Sequence, residues 1–421
     1  MNDRFFPGND TIDVAVIGGG AAGMMAAIAA AQAGASVTVL EPNAVLGRKL
    51  RITGKGRCNV TNDCSAAEVM DNVTKNPRFL TGALYRFTPA DVMSFFEERG
   101  VPLKTERGRR VFPVSDRAAD ISRAMEKEME LLGVSVVHTK AVSLRLSESG
   151  CTGVRTEDGD LPAKAVIVAT GGASYPATGS RGDGYRFAAQ AGMKVIPPTP
   201  SLIPVVTKEN NAPLSGLSLK NVTLRVFRGE KLIFSEMGEM LFTHFGVSGP
   251  LVLSASAHMR ENMAGYRMFI DLKPALDEAT LDARLVSDLK KYAQRDFLNA
   301  LSDLLPQKLI DPVIALSGID PRKKAGALTR EERRRLGGIL KAYPLTPVRF
   351  RPIDEAIITS GGVDVSGIHT KTMMSKTVPG LFFAGEVIDV DAYTGGYNLQ
   401  IAFSTGAAAG KCAAEFAMQK E

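Results

Sequence analysis

Early in the chain, apolar runs alternate with glycine, and the pattern predicts a strand, a turn, a helix and a second strand. Thr11 to Ile17 is a short β-branched run typical of a parallel strand buried on both faces. After a glycine cluster, the alanine-rich stretch Met24 to Ala33 is expected to form a helix that ends at Gly34. Ser36 to Leu40 is the second predicted strand. This order indicates a βαβ unit.

The glycine cluster matches GxGxxG, the pattern of dinucleotide-binding turns. Gly18 permits a tight turn, Gly20 leaves the backbone open to a pyrophosphate, and Gly23 lets the helix lie close to the strand. The amino end of the helix would bind the phosphates. Glu41 follows Gly23 by 18 positions, near the ~20 expected for an acid that binds the ribose hydroxyls. We therefore expect FAD or NAD, not NADP; a packing turn would leave Glu41 unexplained.

The next loop, Gly47 to Asn62, contains five cations and three glycines in 16 positions. Glycine amides and basic side chains suit a long anionic ligand that continues past the first two strands, whereas the alternative is a solvated basic loop. Cys58 lies in this loop, where the neighbouring cations are expected to lower the pKa of its thiol. No second cysteine stands at CxxC spacing, so dithiol chemistry is not expected.

The loop sequence GRKLRITGKGRCNVTN resembles the signature of a bacterial family of FAD-binding oxidoreductases, the aminoacetone oxidase-like or BaiN-type (YhiN-like) flavoproteins. Five further blocks match that family in order: Arg110 to Ser115, Ala169 to Tyr185, Met240 to Pro250, Ile358 to Val365 and Phe382 to Gly406. The resemblance implies FAD as the cofactor. It also implies an activity of either the amine oxidase type or the type that reduces a conjugated double bond.

Later segments of the chain support the same cofactor. Ala163 to Ala169 is a predicted buried strand that leads into a polar, glycine-containing exit, as nucleotide sites at sheet edges require. A further strand is expected at Gly380 to Ala384, and the resemblance implies that the turn from Gly385 to Asp389 meets the ribityl and pyrophosphate region. Gly395 to Gln400 opens the last helix, whose amino end would stabilise negative charge on reduced flavin.

The candidate site residues come from all these segments. Those expected to bind the cofactor are Gly18, Gly20, Ala21, Ala22, Gly23, Glu41, Arg48, Lys49, Thr53, Gly54, Gly56, Arg57, Cys58, Asn59, Thr61, Asn62, Val142, Ala169, Thr170, Gly171, Gly385, Glu386, Asp389, Gly396, Tyr397, Asn398 and Leu399. His244 is a candidate acid or base near neutral pH, with a structural role as the alternative. Tyr175 and Tyr393 are candidate hydrogen-bond donors or ring-stacking groups. The spacing of histidines and cysteines predicts no metal site.

Proline-rich breaks divide the rest of the chain. Val222, Leu224 and Val226 alternate with polar residues, as in a hairpin, whereas Leu281 and Leu285 begin an apolar stripe at helical spacing that continues to Leu305. We predict an α/β fold: a Rossmann-like FAD-binding domain split between residues 1–196 and 348–421, an antiparallel β domain at 197–273 with 344–347 as its return, and a helical domain at 274–343.

Charge and composition narrow the function. Over 421 residues the net charge is only +6, so no nucleic acid partner is expected, and the mixed charges of Arg330 to Arg335 are interpreted as a solvated helix face, with RNA or partner binding as the alternative. Glycines interrupt the uncharged stretch Val14 to Leu40, and no signal peptide pattern precedes it, so we expect a cytoplasmic protein without a membrane partner.

The expected function is hydride transfer between the N5 atom of FAD and a small organic substrate. No second glycine fingerprint follows a strand, so NAD(P)H is a candidate for a transient donor without a domain of its own. The alternative is a flavin-carrying RNA-binding or regulatory protein without turnover.

Overall fold

The computed structural model describes residues 11–259 and 262–419, which form two compact units. The first unit contains the described residues through Ser201 and those from Ile353 onwards, and the second contains Leu202–Pro352. The first unit is therefore split in sequence. The second unit holds both the β-rich and the helical segments, which the sequence had suggested as separate domains.

Regular elements cover most of the described chain. The strands are β1 Ile12–Ile17, β2 Val37–Leu40, β3 Thr61–Asn62, β4 Val73–Lys75, β5 Leu103–Glu106, β6 Arg110–Pro113, β7 Ser135–Val137, β8 Ala141–Ser147, β9 Gly150–Thr156, β10 Gly159–Val168, β11 Val195–Ser201, β12 Val205–Thr207, β13 Ser218–Arg228, β14 Lys231–Thr243, β15 Gly246–Ser248, β16 Tyr266–Asp271, β17 Tyr343–Leu345, β18 Pro347–Phe350, β19 Ile358–Val363, β20 Leu381–Phe383 and β21 Asp391–Ala392. The α-helices are α1 Ala21–Gln32, α2 Arg48–Gly56, α3 Ala66–Asp71, α4 Thr81–Arg86, α5 Pro89–Glu98, α6 Ala118–Leu131, α7 Asp183–Gln190, α8 Pro250–Ser256, α9 Glu278–Lys291, α10 Gln307–Ser317, α11 Arg330–Lys341 and α12 Tyr397–Met418.

The centre of the first unit is a parallel sheet with the strand order β7-β2-β1-β10-β20. Val14, Ala15 and Val16 on β1 are completely buried, because the sheet is covered on both faces. The first part of β10 pairs antiparallel with β9, and β9 pairs with β8, so this strand joins the parallel sheet to an antiparallel ribbon. The predicted α/β class and the βαβ unit are confirmed.

Two helices pack against each other beside this sheet. A Cβ atom at Gly406 of α12 would lie 2.5 Å from the Ala22 carbonyl oxygen of α1, and one at Gly410 would lie 2.1 Å from that of Ala26. Only glycine permits this approach, so the two helix backbones are in direct contact. Since α1 begins at the glycine-rich turn, α12 fixes the position of that turn.

The second unit is built on an antiparallel sheet with the order β17-β16-β13-β14-β15-β12-β18. The predicted hairpin is β13 and β14. Leu281, Leu285 and Leu289 form the buried side of α9, as their spacing predicts. The expected continuation through Leu298, Leu301 and Leu305 is wrong as a helical stripe, because this segment folds into a 3₁₀ turn and further turns.

Among the described helices, none combines the length and apolar character that crossing a bilayer requires. The uncharged stretch that begins at Val14 is divided between β1, α1 and β2.

Candidate cofactor site

A cavity of about 350 Å³ opens at the carboxyl ends of β1, β2 and β10. Strand ends at this edge of a parallel sheet present backbone groups and loop side chains to a ligand. All the residues around the cavity belong to the first unit. The predicted cofactor-binding residues that line it are Gly18, Gly20, Ala21, Ala22, Glu41, Arg48, Lys49, Thr53, Ala169, Thr170, Gly171, Glu386, Asn398 and Leu399.

The three glycines of the turn differ in what surrounds them. Gly18 has φ +105°, and a Cβ there would lie 2.6 Å from the Ala169 carbonyl oxygen. A Cβ at Gly23 would lie 1.8 Å from the carbonyl oxygen of Gly18, so helix and strand need glycine for close packing. A Cβ at Gly20 would meet no atom within 4 Å. Gly20 therefore leaves open a space that this part of the chain does not fill.

Glu41 is held by its neighbours at the end of β2. One carboxylate oxygen accepts from the Gly19 amide at 2.9 Å, and the other accepts from the backbone and side-chain amides of Asn43 at 2.9 and 2.6 Å. Arg48 donates to the Asn43 side-chain oxygen at 2.5 Å. A carboxylate has about four acceptor positions, so one remains for a ribose hydroxyl. Asn43 was not predicted from the sequence, although its place two residues after the acid is a local signal.

These residues fit an anionic dinucleotide. The space at Gly20 lies at the amino end of α1, where the helix dipole favours a phosphate and where no side chain of the described residues caps the first turn. Thr170 also lines the cavity, although its hydroxyl is buried beside Gly184 and has no partner among the described residues. The cavity extends from Glu41 to Asn398 at the start of α12, as an extended cofactor requires.

Several predicted cofactor residues do not line the cavity: Gly23, Gly54, Gly56, Arg57, Cys58, Asn59, Thr61, Asn62, Val142, Gly385, Asp389, Gly396 and Tyr397. Three of these positions secure the start of α12. The Asn62 amide donates to the Gly395 carbonyl at 3.0 Å, and the Thr61 hydroxyl donates to Gln400 at 2.6 Å. A Cβ at Gly396 would lie 2.2 Å from the Thr61 carbonyl oxygen. Gly396 is therefore required for packing against β3, and its contact with the cofactor stays a prediction.

Two expectations in the cationic loop are corrected. Arg57 forms ion pairs with Glu106 and Asp116, and its guanidinium lies 4.1 Å from the centre of the Phe112 ring, so its charge is satisfied within the protein. Cys58 is completely buried, and burial raises the pKa of its thiol to about 12. The sequence predicted a lowered pKa from nearby cations, but removal from water is the larger effect.

Asp389 and Val142 also lie elsewhere than expected. The Asp389 carboxylate forms an ion pair with the Lys75 ammonium at 2.7 Å and accepts from the Asn76 amide at 3.3 Å, so it turns towards β4. The Val142 side chain is 37% exposed on β8, although the preceding residue, Ala141, does line the cavity.

The three candidate catalytic residues are divided between the two units. Tyr175 has φ +52°, a conformation that is rare for an aromatic residue, and the Lys49 ammonium lies 6.0 Å from the centre of its ring. Tyr393 donates its backbone amide to the Asn72 carbonyl at 3.0 Å. His244 belongs to the second unit, on an exposed turn after β14. Neither tyrosine lines the cavity.

The open glycine turn, the anchored acid and the parallel sheet define an FAD-binding oxidoreductase of the Rossmann type. The chain belongs to the family described as "HI0933-like protein Rossmann domain", whose model matches residues 12–412. The family resemblance inferred from sequence, and FAD as the cofactor, are thereby confirmed. The chain is an enzyme, and the alternative of a flavoprotein without turnover is set aside.

Comparison with known proteins identifies relatives over nearly the whole chain. The chain is 30% identical to a 3-dehydro-bile acid delta(4,6)-reductase of Clostridium scindens over 96% of its own length and 99% of the relative. It is 33% identical to a ribosomal RNA dihydrouridine synthase of Haemophilus influenzae over 93% and 95% of the two chains. A 3-ketosteroid delta1-dehydrogenase from Sterolibacterium denitrificans shares the fold, with a TM-score of 0.52, 14% identity and coverage of 97% and 100%.

Proposed function

We propose that this enzyme reduces a carbon–carbon double bond that is conjugated to a carbonyl group. The observation that carries the proposal is that two relatives of similar length, named for different substrates, share this chemistry in their names. A 3-dehydro-bile acid with delta(4,6) unsaturation is a conjugated ketone, and the uracil double bond that is reduced in dihydrouridine is conjugated to a ring carbonyl. The amine oxidase reaction, which the sequence left open, has no such support.

When bound, FAD supplies a hydride from N5 of its reduced ring, with NAD(P)H as the proposed transient source of electrons. The chain holds the cofactor and stabilises its negative charge. The helix α12 begins directly after Gly396, and the positive end of its dipole at this amino end favours negative charge on the cofactor. Reduction of the substrate also requires a proton at the neighbouring carbon, and Tyr175, Tyr393 and His244 stay the candidate donors.

Two substrate classes follow from the relatives' names: a steroid-like enone and uracil within RNA. The steroid-like class agrees with the small organic substrate expected from sequence. One observation supports the RNA class as a second candidate: Arg330, Arg334 and Arg335 on α11 are exposed, whereas Arg333 is paired with Asp282. Exposed arginines suit contact with phosphates.

The test is anaerobic reoxidation of the reduced holoenzyme, followed by the visible flavin absorbance. We expect rapid reoxidation by a 3-oxo-delta(4,6) bile acid or by a uridine-containing RNA, with a saturated 3-oxo bile acid and an RNA that contains dihydrouridine as matched controls. The mass of the product should exceed that of the substrate by the mass of two hydrogen atoms.

The amine oxidase reaction is tested under the same anaerobic conditions, but starting from the oxidised holoenzyme. Bleaching of the oxidised flavin by aminoacetone or another primary amine, together with no reoxidation by either conjugated substrate, would overturn the proposal.

A further inference from the structure

A network of buried polar groups lies directly behind the cofactor cavity and involves two residues that the sequence did not single out. Lys49 and Glu386 line the cavity, whereas Ser174 and Thr359 do not. Both hydroxyl residues are completely buried. Buried polar side chains need partners, and these four supply them to one another.

Glu386 is surrounded by donors from three different segments. Its first carboxylate oxygen accepts from the Thr359 backbone amide at 2.9 Å and from the Ser174 hydroxyl at 3.0 Å. Its second oxygen forms an ion pair with the Lys49 ammonium at 2.5 Å. Three of about four acceptor positions are therefore occupied within the protein. Glu386 therefore holds Lys49 and keeps about one acceptor position at the cavity that it lines.

Thr359 fixes the other side of the network. Its hydroxyl oxygen accepts from the backbone amides of Ala173 at 2.8 Å and Ser174 at 3.1 Å. The same residue thus fixes both the loop that carries Ser174 and, through its own amide, the carboxylate of Glu386. A Cβ at Gly172 would lie 2.4 Å from the Thr359 hydroxyl and 2.7 Å from Glu386, so glycine is required for the network to close.

Among the described residues, Lys49 is the member of the network that keeps one N–H donor without a partner. Its ammonium donates to Ser174 at 2.6 Å and to Glu386, which uses two of its three N–H groups. The third is available to a ligand, and the Lys49 side chain is 24% exposed at the cavity wall. A lysine without such support would lose side-chain entropy on binding a ligand, whereas this one is already oriented.

We propose that Thr359 and Ser174 are positioning residues, which act through Glu386 to present Lys49 to a negatively charged part of FAD. This negative charge is either the pyrophosphate or the pyrimidine edge of the reduced flavin. The inference rests on FAD binding and goes beyond the proposed reaction, since it does not depend on the substrate.

The test is a double-mutant cycle measured by titration of the apoprotein with FAD. We expect Lys49→Met to weaken FAD binding by about ten- to hundredfold, because a charge-assisted hydrogen bond is lost. Thr359→Val should weaken it by about tenfold, and Thr359→Ser, which keeps the hydroxyl, should be close to the wild type. In the Lys49→Met background, Thr359→Val should have little further effect, because the two residues act through one interaction.

Two additional measurements identify the charge that Lys49 meets. If it binds the pyrophosphate, Lys49→Met weakens the binding of ADP as much as that of FAD. If it faces the flavin, ADP binding is unchanged and the reduction potential of the bound FAD falls in Lys49→Met and in Thr359→Val.

The proposal is overturned if Thr359→Val costs the same FAD affinity with and without Lys49, or if Thr359→Ser is as impaired as Thr359→Val. Should Thr359→Val fail to fold, Ser174→Ala takes its place in the cycle with the same expectations. These measurements use no substrate. A failure here therefore leaves the proposed double-bond reduction standing, and failure of that reaction does not affect the cycle.

Discussion

Two glycines three positions apart on α1 and its turn have opposite surroundings. A side chain at Gly23 would collide with the Gly18 carbonyl, whereas one at Gly20 would meet no atom of the described chain. Close packing explains the first glycine, and the approach of a ligand to open backbone explains the second. Sequence spacing could predict both, because the turn is local. It could not predict the pairing of Lys49 with Glu386, since 337 positions separate them and only the folded sheet brings them together.

We expect Gly20→Val to lose FAD while the apoprotein stays folded. The backbone at this position is extended, with φ −82°, so valine brings no conformational strain and only occupies the space of the pyrophosphate. Flavin content after purification and the melting temperature of the apoprotein are the two measurements. The matched control is Gly23→Val, for which we expect loss of the folded protein itself. A Gly20→Val protein that keeps its flavin would contradict the assignment of the turn.

Cys58 allows a prediction on reactivity and pH. Burial raises the pKa of its thiol to about 12, so below that pH the folded protein holds it protonated and inaccessible. At mildly alkaline pH, a disulfide reagent should rapidly modify the same number of thiols in folded Cys58→Ala and in the folded wild type. After denaturation, the wild type should show one more reactive thiol than Cys58→Ala.

The same shift has a consequence for stability. Because the folded pKa lies above the usual 9.0, the thiol contributes stability that is fully present below about pH 9 and is lost as the pH rises towards 12. Denaturant unfolding at increasing alkaline pH should therefore show a shallower decline in Cys58→Ala. An identical decline in both proteins would show that the thiol is not buried as described.

At the scale of elements, the sequence predicted those whose signal is local and periodic. The β1 strand, α1, the β13–β14 hairpin and α9 all follow from apolar spacing and from glycine or charged turns. The expectation failed for Leu298 to Leu305, where leucines at helical spacing fold as turns. Leucine spacing alone does not fix helical backbone, because the residues between must also form a continuous hydrogen-bonded run. The contact of α12 with α1 was also hidden, since small residues give no strong pattern.

The contact between α12 and α1 predicts that a side chain at Gly410 destabilises the protein. Gly410→Ala should lower the melting temperature and cost about 1–3 kcal/mol, because the new methyl group would press on the Ala26 carbonyl of α1. FAD binding should weaken too, since α1 carries the cofactor turn. The control is Gly338→Ala in α11, where a Cβ would meet nothing within 4 Å and the helix should gain about 0.5–1 kcal/mol. Thermal unfolding of both variants is the measurement, and equal destabilisation would argue against the close helix contact.

At the scale of the whole molecule, one unit supplies the cofactor cavity, and the other interrupts the sequence of the first unit. The sequence predicted that the chain leaves the first unit at the proline run from Pro197. These prolines lie in β11, which pairs with β19 through an irregular register. Proline is tolerated in such short, irregular sheets because not every backbone amide is needed for pairing. The first unit therefore continues to Ser201, and composition alone could not distinguish a proline-rich strand from a linker.

This arrangement predicts that the first unit holds FAD without the second. Ser201 of β11 pairs with Ile358 of β19, so the two points where the chain leaves and returns are close together. Replacing Leu202–Pro352 by a short glycine–serine linker should give a protein that binds FAD, because every residue around the cavity remains. The measurements are the flavin spectrum and dissociation constant, with circular dichroism to establish folding and the same deletion carrying Gly20→Val as the control. A folded deletion protein that binds FAD no better than this control would show that the cavity is not sufficient for the cofactor.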